Sequence, residues 1–437
     1  MLCLRLVLLS IFVLAGHVCA QPHEPASFTL AGDWEVRVAL AGGISRTVHL
    51  NPPAMIAVAG ERYASVPLFN PKAGGWVKGA QLKGVEAQET TSPHLLDPAS
   101  FALREGPDAD SPEFARGVDY EIDLDWGTVG RLAGSRIAPD QAVFASYRHA
   151  QMRLDTVALT ADGQIVLRDG EPRAAAPVAP AVREGERQLG HIYLPGFVAR
   201  LEADHLFPVL ETDYPEPATA KNPTIARLVR RLKEGQPLRI LAWGDSVTDG
   251  AYLPNQRTQR WQEQFLSRLR EQFPQARLEL VTQAWGGRNT GSYLAEPPGS
   301  PHNYRETVLG AKPDLIISEF VNDASLKPDQ VEERYAKLLA DFEAMGAEWI
   351  ILTPHYVRPD WMGLTRERDI DQDPRPYVAG LRQFAQKHDV ALADASLRYG
   401  RLWRQGLPYN TLMVNAINHP DARGMRIFAD ALMALFR

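Results

Sequence analysis

An apolar run, Ile240-Leu241-Ala242-Trp243, stops abruptly at Gly244-Asp245-Ser246. Such a break is how a buried parallel strand ends in a tight turn that lifts one hydroxyl out of the sheet. Gly244 lets the backbone bend, and Ser246 stands on the crest. A free serine is too weak a nucleophile at neutral pH and needs an adjacent base. Histidine can take that proton and return it to a leaving group. His419 lies in Val414-Asn415-Ala416-Ile417-Asn418-His419-Pro420, just before the last helical pattern. Two further stretches follow apolar runs of their own. In Trp285-Gly286-Gly287-Arg288 the glycines let a backbone N–H approach a bound group. In Phe320-Val321-Asn322-Asp323 a carboxamide can aim N–H donors at the same crevice. Singly, each has an ordinary explanation: Gly287 a turn, Asn322 a helix cap, His419 a loop residue. Together they are a nucleophile, a base and fixed donors for a developing negative charge.

Bringing them together requires strand ends that lie side by side. From residue 222 onward, helix and strand patterns alternate. Strands are expected over 238–243, 277–283, 315–321, 349–352 and 390–393. Helices are expected over 224–233, 257–272, 303–310, 328–345, 377–388 and 421–436. Regular βα alternation means a parallel sheet with helices on both faces, in right-handed crossovers. Ligands of such sheets bind outside the carboxyl ends of the strands, where all four stretches fall.

Residues 25–215 read differently. Trp34 to Leu40 and Tyr120 to Trp126 alternate apolar with polar residues, and turn-forming stretches such as Asn51-Pro52-Pro53 separate the runs. Residues 153–159 and 164–168, joined through Asp162-Gly163, form a hairpin pattern. This half is expected to be a β-sandwich or jelly-roll-like binding or positioning domain, with a boundary near residue 220. Its histidines, His94, His149 and His191, show no metal-ligand spacing. Trp76 and Trp126, if exposed, could stack on a sugar ring, but they fit core positions better.

The first twenty residues are a class apart. Arg5, the apolar run from Leu6 to Ala15, and Val18-Cys19-Ala20 form a secretory signal with cleavage after Ala20. Both cysteines, Cys3 and Cys19, lie in it, so the mature chain would carry no disulfide and no thiol chemistry. The expected location is secreted or periplasmic. No later run is long enough to span a bilayer. The net charge of −6 over 437 residues disfavours nucleic acid or an anionic membrane as partner.

On these motifs residues 222–437 resemble the SGNH (GDSL-type) hydrolases. Gly244-Asp245-Ser246 matches the family's serine block, Gly287 its glycine block, Asn322-Asp323 its asparagine block and His419-Pro420 its histidine block, in the family's order. The resemblance implies a flavodoxin-like three-layer α/β/α domain that hydrolyses esters with no metal and no organic cofactor. It makes Ser246 the nucleophile and His419 the general base. The oxyanion hole would be the backbone N–H groups of Ser246 and Gly287 and the side-chain amide of Asn322. The chain departs from the pattern twice. Phe320 replaces a glycine two residues before the asparagine, and Ala416 stands where the family places an aspartate three residues before the histidine. Either Asn415 or Asn418, or a backbone carbonyl in a Ser-His dyad, is then expected to orient His419. Asp394 and Asp421 do not match the motif.

The loop Pro354-His355-Tyr356-Val357-Arg358-Pro359-Asp360-Trp361-Met362 is expected to rim the crevice. Trp285, Tyr356 and Trp361 are candidate sugar-stacking walls, and Arg288 and Arg358 are candidate partners of an acidic sugar. A secreted domain of this type behind a β-sandwich resembles the two-domain carbohydrate acetylesterases. That resemblance implies O-acetyl groups of a glycan as substrate. The alternatives are O-acetyl transfer onto a cell-envelope glycan, cleavage of other acyl esters, and an inactive carbohydrate-binding protein.

Overall fold

The computed structural model describes residues 24–212, 214, 222–370 and 372–437. The signal expected at residues 1–20 and the boundary expected near residue 220 lie outside the described residues. The strands of the front half pair antiparallel. Strands Ser27–Gly32, Glu35–Ala39 and Ser45–His49 form one three-stranded sheet. Val143–His149 is flanked by Ile56–Tyr63 and Ala102–Arg104, and Thr128–Arg131 by Ala80–Gln81 and Tyr120–Asp123. A four-stranded sheet runs Ile165–Arg168, Arg153–Leu159, Arg187–Leu194, Leu206–Pro208. Alternation sets the buried faces: Val36 and Val38 are buried between the exposed Glu35 and Arg37. The hairpin pairs Leu159 with Ile165 and Thr156 with Arg168. Gly163 takes φ +84 in its turn, a conformation that favours glycine. The strands divide among four small sheets, consistent with the expected β-sandwich domain.

The second half is the expected α/β domain. Its strands are β1 (Pro237–Gly244), β2 (Arg277–Ala284), β3 (Leu315–Glu319), β4 (Glu348–Leu352) and β5 (Ala391–Ala393). They are all parallel, in the order β2-β1-β3-β4-β5. That is the doubly wound flavodoxin-like order, with its switch point between β1 and β3. Strand alternation builds two helix-covered faces. Leu241, Trp243 and Ile316 pack toward helices Pro328–Met345 and Pro376–Lys387. Ile240, Ala242 and Ile317 pack toward Pro223–Lys233, Trp261–Gln272 and Ala422–Ala434.

Several elements differ from expectation. The helix expected over 257–272 is broken at Arg260, whose ψ of 147° is extended, so Gln256–Gln259 is separate from Trp261–Gln272. The helix expected over 303–310 is a π-helix over Tyr304–Leu309, capped by the Asn303 side chain. The strand expected over 315–321 ends at Glu319 and gives way to a 3₁₀ turn over Val321–Asp323. Short helices at Ser246–Asp249, Thr290–Ala295 and Ala395–Arg401 carry too few turns to show a period in the sequence.

The halves are joined by apolar and polar contacts. Leu82, Val85, Tyr147 and Met152 of the front half belong to the same buried cluster as Ile240, Tyr356 and Phe428. Val209 bridges Gln405, His191 Nδ1–H donates to the Gly406 carbonyl at 2.6 Å, and Thr90 Oγ1 donates to the Asn415 carbonyl at 2.7 Å.

Candidate active site

The register aligns three strand ends. Gly244 pairs with Ala284 on one side and with Glu319 on the other. The stretches that follow, led by Asp245-Ser246, Trp285-Gly286 and Phe320-Val321-Asn322, therefore leave the sheet at one level. A Cβ on Gly244 would lie 2.1 Å from Thr248 Oγ1 and 2.4 Å from the Glu319 carbonyl oxygen, so only glycine fits this bend.

Asp245 fixes the turn. One carboxylate oxygen accepts from Val247 N at 3.1 Å, capping the helical turn Ser246–Asp249. The other accepts from the backbone and side-chain nitrogens of Asn322, at 3.0 and 2.9 Å. Asn322 is thereby held beside Ser246. Burial raises the pKa of Asp245 to about 7. Burial and the neighbouring Asp245 raise that of Glu319 as well. Asp245 has three N–H donors and Glu319 one hydroxyl, from Thr248 at 3.3 Å, so Asp245 carries the charge of the pair and Glu319 the proton.

His419 is presented by a tight loop. Asn415 Oδ1 accepts the backbone N–H groups of Ile417, Asn418 and His419 at 3.0, 2.9 and 3.0 Å. Ala416 takes φ +54 inside that loop. His419 Nε2 stands 3.2 Å from Ser246 Oγ. The ring stacks on Tyr252, with centroids 4.2 Å apart and planes at 3°. On its other nitrogen, Nδ1, it meets Gln88 Oε1 at 3.1 Å and Glu89 Oε2 at 3.5 Å. Burial lowers the His419 pKa, and the Glu89 charge opposes that shift. Beneath the loop, the fully buried His355 donates from Nε2 to the Asn418 carbonyl at 2.8 Å. Burial and the nearby Arg375 lower its pKa to about 3, so it is neutral.

Ser246, Gly286, Gly287, Asn322 and His419 line one cavity of about 400 Å³. Gly287 has φ +70 and open space where a Cβ would be. Trp76, Glu89 and Thr90 of the front half and Trp361 of the loop after β4 close its other side. The arrangement can activate a hydroxyl and surround a small acyl group with donors.

Two sequence expectations are corrected. Neither Asn415 nor Asn418 touches the imidazole Nδ1. Asn415 Oδ1 is engaged by three backbone donors and its Nδ2 donates to Asn418 Oδ1 at 3.1 Å, so the pair builds the loop. Asp421 caps helix Ala422–Ala434 and Asp394 pairs with Arg382. Of the proposed sugar-stacking residues, only Trp361 lines the cavity. Tyr356 is fully buried against Tyr399 and Tyr409. Trp285 stacks on His302 at 4.3 Å, with Arg288 over its ring at 5.2 Å. Sequence reasoning missed Gln88, Glu89 and Tyr252. Gln88 and His419 are 331 positions apart, and no local pattern links them.

Residues 242–427 match the GDSL-like Lipase/Acylhydrolase family. No curated protein matches the chain at a significant level. Among solved structures, LAE5, an alpha/beta hydrolase enzyme from the metagenome of Lake Arreo, Spain, shares 20% identity over 46% of this chain and 94% of its own, with a TM-score of 0.36. A two-domain esterase (CEX) active on acetylated mannans shares 16% identity over 49% of this chain and 52% of its own, with a TM-score of 0.39. A variant of Axe2, an acetyl xylan esterase from Geobacillus stearothermophilus, shares 18% over 46% of this chain and 94% of its own, at 0.36. Four motif blocks in order, a parallel five-stranded sheet and the family match over the same residues make the second half of this chain a GDSL-like (SGNH) acylhydrolase domain.

Proposed function

We propose that the protein is a secreted or periplasmic serine esterase that removes small acyl groups, acetyl above all, from a neutral carbohydrate. The contact between Ser246 Oγ and His419 Nε2, in a cavity that also holds Asn322 and Gly287, carries this reading. Ser246 Oγ attacks the ester carbonyl carbon while its proton passes to His419 Nε2. The oxyanion forms against the N–H groups of Ser246 and Gly287 and the free amide hydrogen of Asn322. The C–O bond to the sugar breaks as His419 returns the proton to the leaving alcohol. Water, deprotonated by His419, then attacks the acyl carbon; the bond to Ser246 Oγ breaks as His419 returns the proton to it, and the acid is released.

Size and chemistry support the finer terms. About 400 Å³ must hold both the acyl group and part of the alcohol, which favours a short acyl chain. Trp76 and Trp361 line this cavity and also an adjoining polar groove of about 530 Å³, and Trp361 is 52% exposed. An aromatic wall along a polar groove suits the apolar face of a sugar. Arg358 is paired with Asp360 and packed over Trp76, Trp126 and Trp361, so it is occupied rather than waiting for an acidic sugar. The secretory signal expected at residues 1–20 supports a mature enzyme that acts outside the cytoplasm.

The test compares p-nitrophenyl acetate, butyrate and octanoate as substrates of residues 21–437 and of Ser246→Ala. Acetate is expected to be cleaved best, and Ser246→Ala to lose about 10⁴-fold or more in kcat. Acetate release from acetylated neutral glycans without an added acceptor supports hydrolysis over transfer. Equal inertness of both proteins on every ester would overturn the reading.

A further inference from the structure

We propose that the front half completes the catalytic group: Glu89 supplies the carboxylate that supports His419, and Gln88 supplies the hydrogen bond that orients it. This rests on the esterase reading and adds a third member drawn from outside the acylhydrolase domain.

The geometry begins with the position left empty by Ala416. A Ser-His pair needs something on Nδ1 to hold the tautomer that leaves Nε2 free to accept, and a negative charge there stabilises the imidazolium formed during the reaction. Both are present on one turn. Ala87 N donates to the Thr90 carbonyl at 2.8 Å, and Glu86 bridges Thr91, closing a tight hairpin over residues 87–90. Its tip points Gln88 Oε1 and Glu89 Oε2 at the same ring nitrogen, at 3.1 and 3.5 Å. The tip is also pinned to the His419 loop. Gln88 N donates to the Val414 carbonyl at 3.2 Å, and Thr90 Oγ1 to that of Asn415 at 2.7 Å.

The backbone supplies an independent argument. Glu89 takes φ +60, a left-handed conformation that side-chain-bearing residues avoid and glycine adopts freely. For stability alone, glycine would serve this turn better. Strain retained beside an active site is the kind that function explains. Around His419 the other charged or titratable groups are Asp249 and Tyr252, from the turn after Ser246, and His355, from the loop after β4. Glu89 is the one whose charge holds the imidazole pKa up against burial.

The experiment uses the full mature chain with p-nitrophenyl acetate across pH, together with thermal melts. Glu89→Gly is expected to keep or raise Tm by relieving the left-handed φ. It should nevertheless lose about tenfold to hundredfold in kcat, between the effects of a supporting contact and of a buried triad aspartate. The acidic limb of kcat/KM should move to lower pH, because the charge that raises the imidazole pKa is gone. Adding Gln88→Glu to Glu89→Gly returns a carboxylate to Nδ1. It should restore much of kcat and shift the limb back up. Unchanged kcat and an unmoved limb in Glu89→Gly, with Ser246→Ala inactive, would overturn the inference and leave the esterase reading standing. So would a loss that the relocated charge does not repair. An inert wild-type protein would instead remove the esterase reading itself.

Discussion

Asn322 has two duties. Its carboxamide nitrogen donates to the buried Asp245 carboxylate and its second hydrogen is available to the cavity. Asn322→Ala should therefore lower kcat by about 10²–10³ with little change in KM, since the oxyanion donor proposed here acts in the transition state. A steady-state comparison on p-nitrophenyl acetate checks this. Acid stability is the concern of another residue, His355. Its folded pKa is about 3, below the ordinary 6.5. The unfolded state then binds more protons between these values, so the stabilising contribution is present above pH 6.5 and is lost as pH falls toward 3. Between pH 6.5 and 5 the loss from this residue is about 2 kcal/mol. Burial also lowers His149, His191, His205 and His419, which add the same sign. Tm measured at pH 7 and pH 5 should fall, and His355→Gln should show a smaller fall. That Ser246, Gly287, Asn322 and His419 share one cavity was readable from the sequence, because each lies next to a strong periodic element. Gln88 and Glu89 were not, because what brings them to the site is packing between distant segments.

The shared exit level of β1, β2 and β3 brings three of the four motifs together, and the loop before helix Ala422–Ala434 adds the fourth. Gly244 is the tightest point of that arrangement. Gly244→Ala drives a methyl into Thr248 and the Glu319 carbonyl and should destabilise the domain by about 3 kcal/mol, since neither neighbour is a flexible side-chain end. A lowered Tm together with lost activity is expected, whereas an unshifted Tm would mean that the bend relaxes freely. The helix Pro328–Met345 was predicted to the residue because Pro328 opens it and Gly346, at φ +76, ends it. The break at Arg260 was missed because no proline or glycine marks it, and the apolar stripe of Trp261, Phe265 and Leu269 begins only after it. Tyr356 was misplaced for a related reason. Position in a loop near the site does not reveal which way a side chain points.

Val85, Tyr147 and Met152 share one buried cluster with Ile240 and Phe428, and polar contacts cross the same boundary. The two halves should accordingly unfold as a unit. Guanidinium denaturation followed by tryptophan fluorescence and by far-ultraviolet circular dichroism is expected to give one coincident transition. Two separated transitions would show that the halves are energetically independent. The division into a β-rich front and an α/β back was plain from hydropathy periods. Their shared buried cluster was not, because apolar residues that face another half look the same in sequence as those that face their own.

The hairpin at residues 87–90 bears on how this protein could be inherited and rearranged. A gene fragment encoding only residues 222–437 would carry every motif by which the family is recognised, yet no partner for the far side of the histidine ring. Grafted behind a foreign front module, it would look like an enzyme to any motif search and behave as an impaired one. On the role proposed for Glu89, recombination that keeps activity should need to move both halves together, or else restore an acid within the last loop, at the position now held by Ala416.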